Sequence, residues 1–235
     1  MNKPSALLSA AVFAALIGVP ADRRLPARDG DLKANLDLPF DAIGEDEEEE
    51  EAPEVIVFYG AQYEGDFFCF TCDRSGSMEG ERWTKLQREV VKNIAQFSER
   101  VQFGIVFFAG DTKKFPPSGQ PADANPGMKA AAISMVMSTT LGRQSCYKEA
   151  LFDALAFASR SSTKRKVIIC LGDGELYCSG QRGDAYGQQA LTQIKARNVS
   201  GAKINCIGIA APGGEGERWL KTLAAQNNGQ YRRGE

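Results

Sequence analysis

The chain has 235 residues, 43% of them apolar and 25% charged, with 28 basic and 30 acidic side chains and a formal net charge of -2. That is the profile of one globular domain with attached extras. Histidine is absent, which excludes Ser-His-Asp and Cys-His nucleophilic machinery, imidazole general bases and histidine-bearing zinc sites.

The opening residues combine Lys3, an apolar run from Ala6 to Val19, and the small-residue sequence Val19-Pro20-Ala21 before charge returns at Asp22. This pattern predicts a signal peptide over residues 1–21. The apolar run is short against the ~20 residues a helix needs to span a bilayer. The expectation is an exported protein, periplasmic, cell-surface or secreted, with no stable membrane span after cleavage. Residues 22–54 are rich in Asp, Glu, Pro, Arg and Gly and culminate in the run Glu45 to Glu51. They predict an acidic, disordered linker, because too little apolar surface is present to offset ordering.

Residues 55–235 form the predicted domain, in which short apolar runs alternate with helix-period stretches. Phe67 to Cys72 reads as a buried strand ending at Asp73. Trp83, Leu86, Val90, Ile94 and Phe97 recur at steps of three and four, predicting a helix over 80–98. Val101 to Ala109 is a second apolar strand, followed by a short segment at Lys114 to Phe115. Helices are expected at Met128 to Val136 and Tyr147 to Ser159, and a strand at Val167 to Leu171. A helix at Gln188 to Arg197, a strand at Lys203 to Ile209, a helix at Glu217 to Gln226 and an edge strand at Gln230 to Arg232 complete the series. The fold class is α/β, a doubly wound, mostly parallel sheet with helices on both faces and one short antiparallel edge strand. Residues 1–54 carry 5 basic and 13 acidic groups and the rest of the chain 23 and 17. That basic excess lacks clusters interleaved with aromatics, so no nucleic-acid partner is expected.

The sharpest local signal is Asp73-Arg74-Ser75-Gly76-Ser77-Met78. A carboxylate at a strand's carboxyl end is followed by two hydroxyls two residues apart, able to converge above the sheet edge. Oxygen ligands of this kind suit a small hard cation such as Mg2+. Asp173 ends the strand VIICL in the turn Gly172-Asp173-Gly174, so a second carboxylate arrives at the edge where a doubly wound fold puts its ligand crevice. By itself the string also arises in polar turns, and an aspartate after a strand also serves as a helix cap.

The arrangement resembles the von Willebrand factor type A domain, whose metal-ion-dependent adhesion site opens with DxSxS directly after the first strand. The resemblance runs from about residue 55 to 235, through INCIGIAAPGGEGERWLKTLAAQNNGQYRR, and FYGAQYEGDFFCFTCDRSGSM is similar to secreted bacterial members. It implies that Asp73, Ser75, Ser77 and Asp173 hold a cation, with Gly172 in place of the family's threonine before the last aspartate. The family supplies a further threonine shortly before a helical Ala-Leu; in SCYKEAL that place is taken by Ser145, which keeps the hydroxyl and loses the methyl. Thr139 and Thr140, or water, are alternatives. The implied cofactor is Mg2+, with Mn2+ or Ca2+ as alternatives. The implied partner is a protein or other acidic ligand supplying a carboxylate to the cation, and the implied activity is binding rather than catalysis.

Of six cysteines, Cys69, Cys72, Cys170 and Cys206 fall in predicted strands, where they are expected as buried thiols. Cys146 and Cys178 fall in the loops after Ser145 and Asp173 and are expected to form a disulfide across the site edge. Two other functions compete. One is a Mg2+-dependent hydrolase or phosphotransferase using Asp73 as nucleophile, which would want an acid where Ser75 stands. The other is a metal-free scaffold. Glu175 is either a general base or a solvated loop carboxylate.

Overall fold

A computed structural model of the chain describes residues 51–209 and 212–234. The expected signal segment 1–21 and nearly all of the linker 22–54 lie outside these residues.

The sheet is organised around β3 (Phe67–Asp73), all seven of whose residues are buried. It pairs in parallel with β4 (Gln102–Phe108) on one side and β7 (Lys166–Gly172) on the other. Beyond β7 lie β10 (Lys203–Gly208) and β11 (Tyr231–Arg233), again parallel. At the opposite edge β5 (Thr112–Phe115) runs antiparallel to β4, and so does the two-residue β6 (Ala122–Asp123). The central strands read as continuous apolar runs because helices cover both faces.

Alternation along β3 sends Phe68, Phe70 and Cys72 to one face and Phe67 and Cys69 to the other. The first face packs against α1 (Glu81–Gln96) through Leu86, Val90 and Ile94, and against α2 (Pro126–Ser138) through Ala132 and Val136. The second packs against α3 (Tyr147–Arg160), α4 (Asp184–Arg197) and α5 (Glu215–Gln226). Helix α2 begins where Asn125 accepts a 2.9 Å hydrogen bond from the Met128 amide and Pro126 occupies the first turn. From β3 the chain steps through α1 to β4 on one side, then returns across β3 to β7 on the other. Strand order therefore reverses between β3 and β7, which puts the crevice at their carboxyl ends.

Two pieces carry no clear sequence signal. A hairpin of β1 (Glu54–Phe58) and β2 (Ala61–Gly65) turns at Tyr59 and Gly60, both at positive φ. Its Ile56, Phe58 and Tyr63 join the α1-side core. A second miniature hairpin, β8 (Tyr177–Cys178) with β9 (Gln181–Arg182), lies in the loop after β7. Among the described residues no helix is long and apolar enough to cross a membrane.

Candidate functional site

Asp73 is the last residue of β3 and is fully buried. Its parity puts it on the α3 side, in line with Phe67 and Cys69. One carboxylate oxygen accepts the Ser75 amide at 2.7 Å, which turns the chain out of the strand. A 3-10 turn, Gly76–Met78, follows, closed by the Met78 amide on the Ser75 carbonyl at 3.0 Å. This turn sets the Ser75 and Ser77 hydroxyls 2.9 Å apart. The hydroxyl pair expected of Asp73-x-Ser75-x-Ser77 is thus formed.

Asp173 follows β7 directly and is also buried, with its carboxylate accepting the Glu175 amide at 2.9 Å. The two strand ends are joined by Tyr147, which the sequence marks only as the start of a helix. Its hydroxyl donates to Asp73 Oδ2 at 3.4 Å and accepts the Gly174 amide at 2.7 Å. The ring is fixed between Phe108 and Trp219, with centroids 4.6 and 5.3 Å away. Burial, then the Asp73 and Asp173 carboxylates, holds the phenol protonated.

Ser145 is buried on the loop before α3, its amide bonded to the Tyr177 carbonyl at 2.8 Å. The next residue's amide bonds the Ala109 carbonyl at 2.9 Å, so this loop spans from the end of β4 to the loop after β7. Cys146 and Cys178 are joined in a disulfide, and Cys69, Cys72, Cys170 and Cys206 are buried free thiols. Of the alternatives to Ser145, Thr139 spends its proton on the Met135 carbonyl at the end of α2, 2.8 Å away. The Thr140 side chain is exposed, and its carbonyl accepts Arg74 Nη1 at 3.1 Å.

Arg74 is the second residue the sequence reading passed over. Its buried guanidinium pairs with Asp111, and its backbone accepts the Gly142 amide at 2.7 Å. A Cβ at Gly142 would lie 2.6 Å from Arg74 Nη1, so the glycine makes room for the guanidinium. Arg74 thereby ties the β3 turn to the β4–β5 turn and to the loop carrying Ser145. Glu175 is exposed, as a solvated loop carboxylate would be.

Electrostatically the edge is unfinished. Burial, and secondarily the Asp173 charge, pushes the Asp73 carboxyl up to about 7, against the pull of its hydrogen bonds from Ser75 and Tyr147. Two buried carboxylates beside paired hydroxyls form an all-oxygen donor set, which fits a hard divalent cation that would relieve their repulsion. Asp73, Asp173, Ser75 and Ser77 are the residues able to hold one, with Ser145 on the adjoining loop. Asp173, alone of these residues, also lines a cleft of about 1090 Å³, with Glu175, Leu176, Arg182, Arg218 and Trp219 among its other walls.

Comparison with known proteins bears on this arrangement. The family model described as the von Willebrand factor type A domain matches residues 69–233. Among curated proteins no sequence matches. A von Willebrand factor type A protein from Catenulispora acidiphila superposes with a TM-score of 0.62 at 16% identity, over 79% of this chain and 47% of that one. An aerotolerance-related membrane protein from Bacteroides fragilis gives 0.54 at 20% identity, over 73% and 92%. The pilus adhesin SpaC from Lactobacillus rhamnosus GG gives 0.59 at 12% identity, over 79% and 29%. The chain thus spans less than half the length of the first and third of these structures. At such identities the likeness is one of fold.

Proposed function

The chain belongs to the von Willebrand factor type A domain family, and on that premise we propose that it is an exported binding module. It holds a divalent cation, Mg2+ in the first instance, at the β3–β7 edge and captures a carboxylate of a partner protein. The observation that carries this reading is the Ser75–Ser77 hydroxyl pair, 2.9 Å apart, beside a buried Asp73 carboxyl that Asp173 helps hold near neutral pH in its titration.

Asp73 and Asp173 supply the negative charge, and Ser75, Ser77 and Ser145 supply neutral oxygens. When bound, the cation supplies positive charge and a coordination position for an acidic group from outside. The Ser75 amide and the Tyr147 hydroxyl orient Asp73, and the Glu175 amide orients Asp173. The cleft beside Asp173 gives a partner segment room to lie against Leu176 and Trp219. Export is supported by the signal-like pattern at residues 1–21 and by the Cys146–Cys178 disulfide. The pilus adhesin SpaC shares the fold, which supports a role in attachment.

Hydrolysis through Asp73 is disfavoured, because Ser75 stands where a phosphotransferase of that design would want a second acid. Calorimetric titration with Mg2+ and Mn2+, on the wild type and on Asp73→Ala, tests the proposal. Heat of binding in the wild type alone, with EDTA-sensitive retention of a carboxylate-bearing partner, is the expected result. No heat at millimolar cation overturns it in favour of a metal-free scaffold, and Asp73-dependent turnover of phosphate esters overturns it in favour of an enzyme.

A further inference from the structure

Gly172 stands at the last position of β7, on the face toward α3. The space that a side chain would fill there is taken. A Cβ built at Gly172 would overlap the Tyr147 hydroxyl outright, and would lie 2.9 Å from Asp73 Cβ and 3.0 Å from Tyr147 Cζ. The hydroxyl occupying that space is the one that reaches Asp73 on one side and the Gly174 amide on the other. It comes from a different element, the first turn of α3, two residues after Ser145.

We propose that Tyr147 is a positioning residue for the cation-binding edge, its hydroxyl standing where a side chain at Gly172 would otherwise be and fixing the Asp73 and Asp173 turns relative to each other. Three features support this. The ring is immobilised between Phe108 and Trp219, so the hydroxyl position is set by packing rather than by a flexible stem. Its two hydrogen bonds go to two separate strand ends. The residue also leads into α3 from Ser145, so one segment brings both the loop oxygen and the tie between the aspartates. Positions 147 and 172 therefore act as a pair: a large hydroxyl-bearing ring at one requires no side chain at the other.

The inference rests on the functional reading above for the cation and on hydrogen exchange for the tie itself. Tyr147→Phe keeps the ring and deletes the hydroxyl. In the full chain it is expected to weaken Mg2+ binding about 10- to 100-fold, the range for losing a group that orients a metal ligand, and to speed amide exchange at residues 172–175. Ile204→Val, near the opposite end of the sheet, serves as a control that lowers the melting temperature and changes neither. Gly172→Ser is expected to weaken binding further, because its Cβ would displace the Tyr147 hydroxyl. Unchanged cation affinity in Tyr147→Phe overturns the inference, as does unchanged affinity in Gly172→Ser. Should the wild type bind no divalent cation, the functional reading falls, and unchanged exchange at 172–175 in Tyr147→Phe overturns the inference separately.

Discussion

The two strand ends that carry the aspartates are built by different means. At β3 the turn makes most of its own shape: Asp73, Ser75, Ser77 and Met78 bond within a stretch of six residues, under a strand paired on both sides. At β7 the local bonds are the Glu175 amide on Asp173 and the small β8–β9 pairing. The rest arrives from elsewhere, through the Tyr147 hydroxyl, the Ser145 amide on Tyr177 and the Cys146–Cys178 bridge. The β3 half is shaped by its own sequence and braced from outside by Arg74 and the Tyr147 hydroxyl, whereas the β7 half depends on three ties from one distant segment, residues 145–147. The β7 half is therefore the one that tertiary changes should loosen first.

The largest expected effect breaks the pairing of the two acids. Because the folded Asp73 carboxyl is raised to about 7 from an ordinary 3.8, the folded state holds its proton more tightly than the unfolded chain does. Its contribution to stability is thus complete below about pH 4 and lost as pH rises through about 7, up to roughly 4 kcal/mol at 1.36 kcal/mol per pH unit. Urea melts in EDTA at pH 4, 6 and 8 should show this decline, and Asp73→Asn should flatten it while abolishing cation binding. Cation affinity should instead climb between pH 6 and 8, since the ion competes with that proton.

Next in size, Cys146→Ser with Cys178→Ser should cost about 3 kcal/mol by freeing the unfolded chain. The informative readout is regional. Exchange should rise most over residues 174–183 and much less over 74–78, whose outside ties run through Arg74 and the Tyr147 hydroxyl rather than through the disulfide. Arg74→Met removes the guanidinium from Asp111 and from the Thr140 carbonyl, for a loss of about 1–3 kcal/mol in denaturant melts. Asp111→Asn should cost much less, because Asp111 is 68% exposed. Smallest of all, Glu175→Gln should stay within about 0.5 kcal/mol of wild type and leave cation binding intact. A larger change would give that residue a role in the site.

The same asymmetry sets what the sequence reveals. β3, β4 and β7 are contiguous apolar runs and Asp73 to Ser77 is a contiguous string, so both the strands and half of the site can be read directly. The disulfide is legible because Cys146 and Cys178 alone fall outside strand patterns. Tyr147 is not legible: a tyrosine opening a helix looks like any core aromatic until Gly172 is known to face it. Arg74 is hidden likewise, since its partners Asp111 and Thr140 lie on other turns. The β1–β2 hairpin escapes because Tyr59 at its turn lacks the asparagine or aspartate that marks such turns.

That hairpin bears on where the folding unit starts. The family match begins at Cys69, inside β3, yet Phe58 is fully buried with its ring 5.0 Å from that of Phe70. The Glu54 carboxylate accepts the Ser98 hydroxyl at 2.8 Å, and Asn93 donates to the Val57 carbonyl at 3.1 Å. A recombinant fragment trimmed to the recognised boundary would strip the lining from one flank of α1 and leave a sticky aromatic surface. Fragments prepared for binding work should open before residue 54, or insolubility will be mistaken for lack of activity.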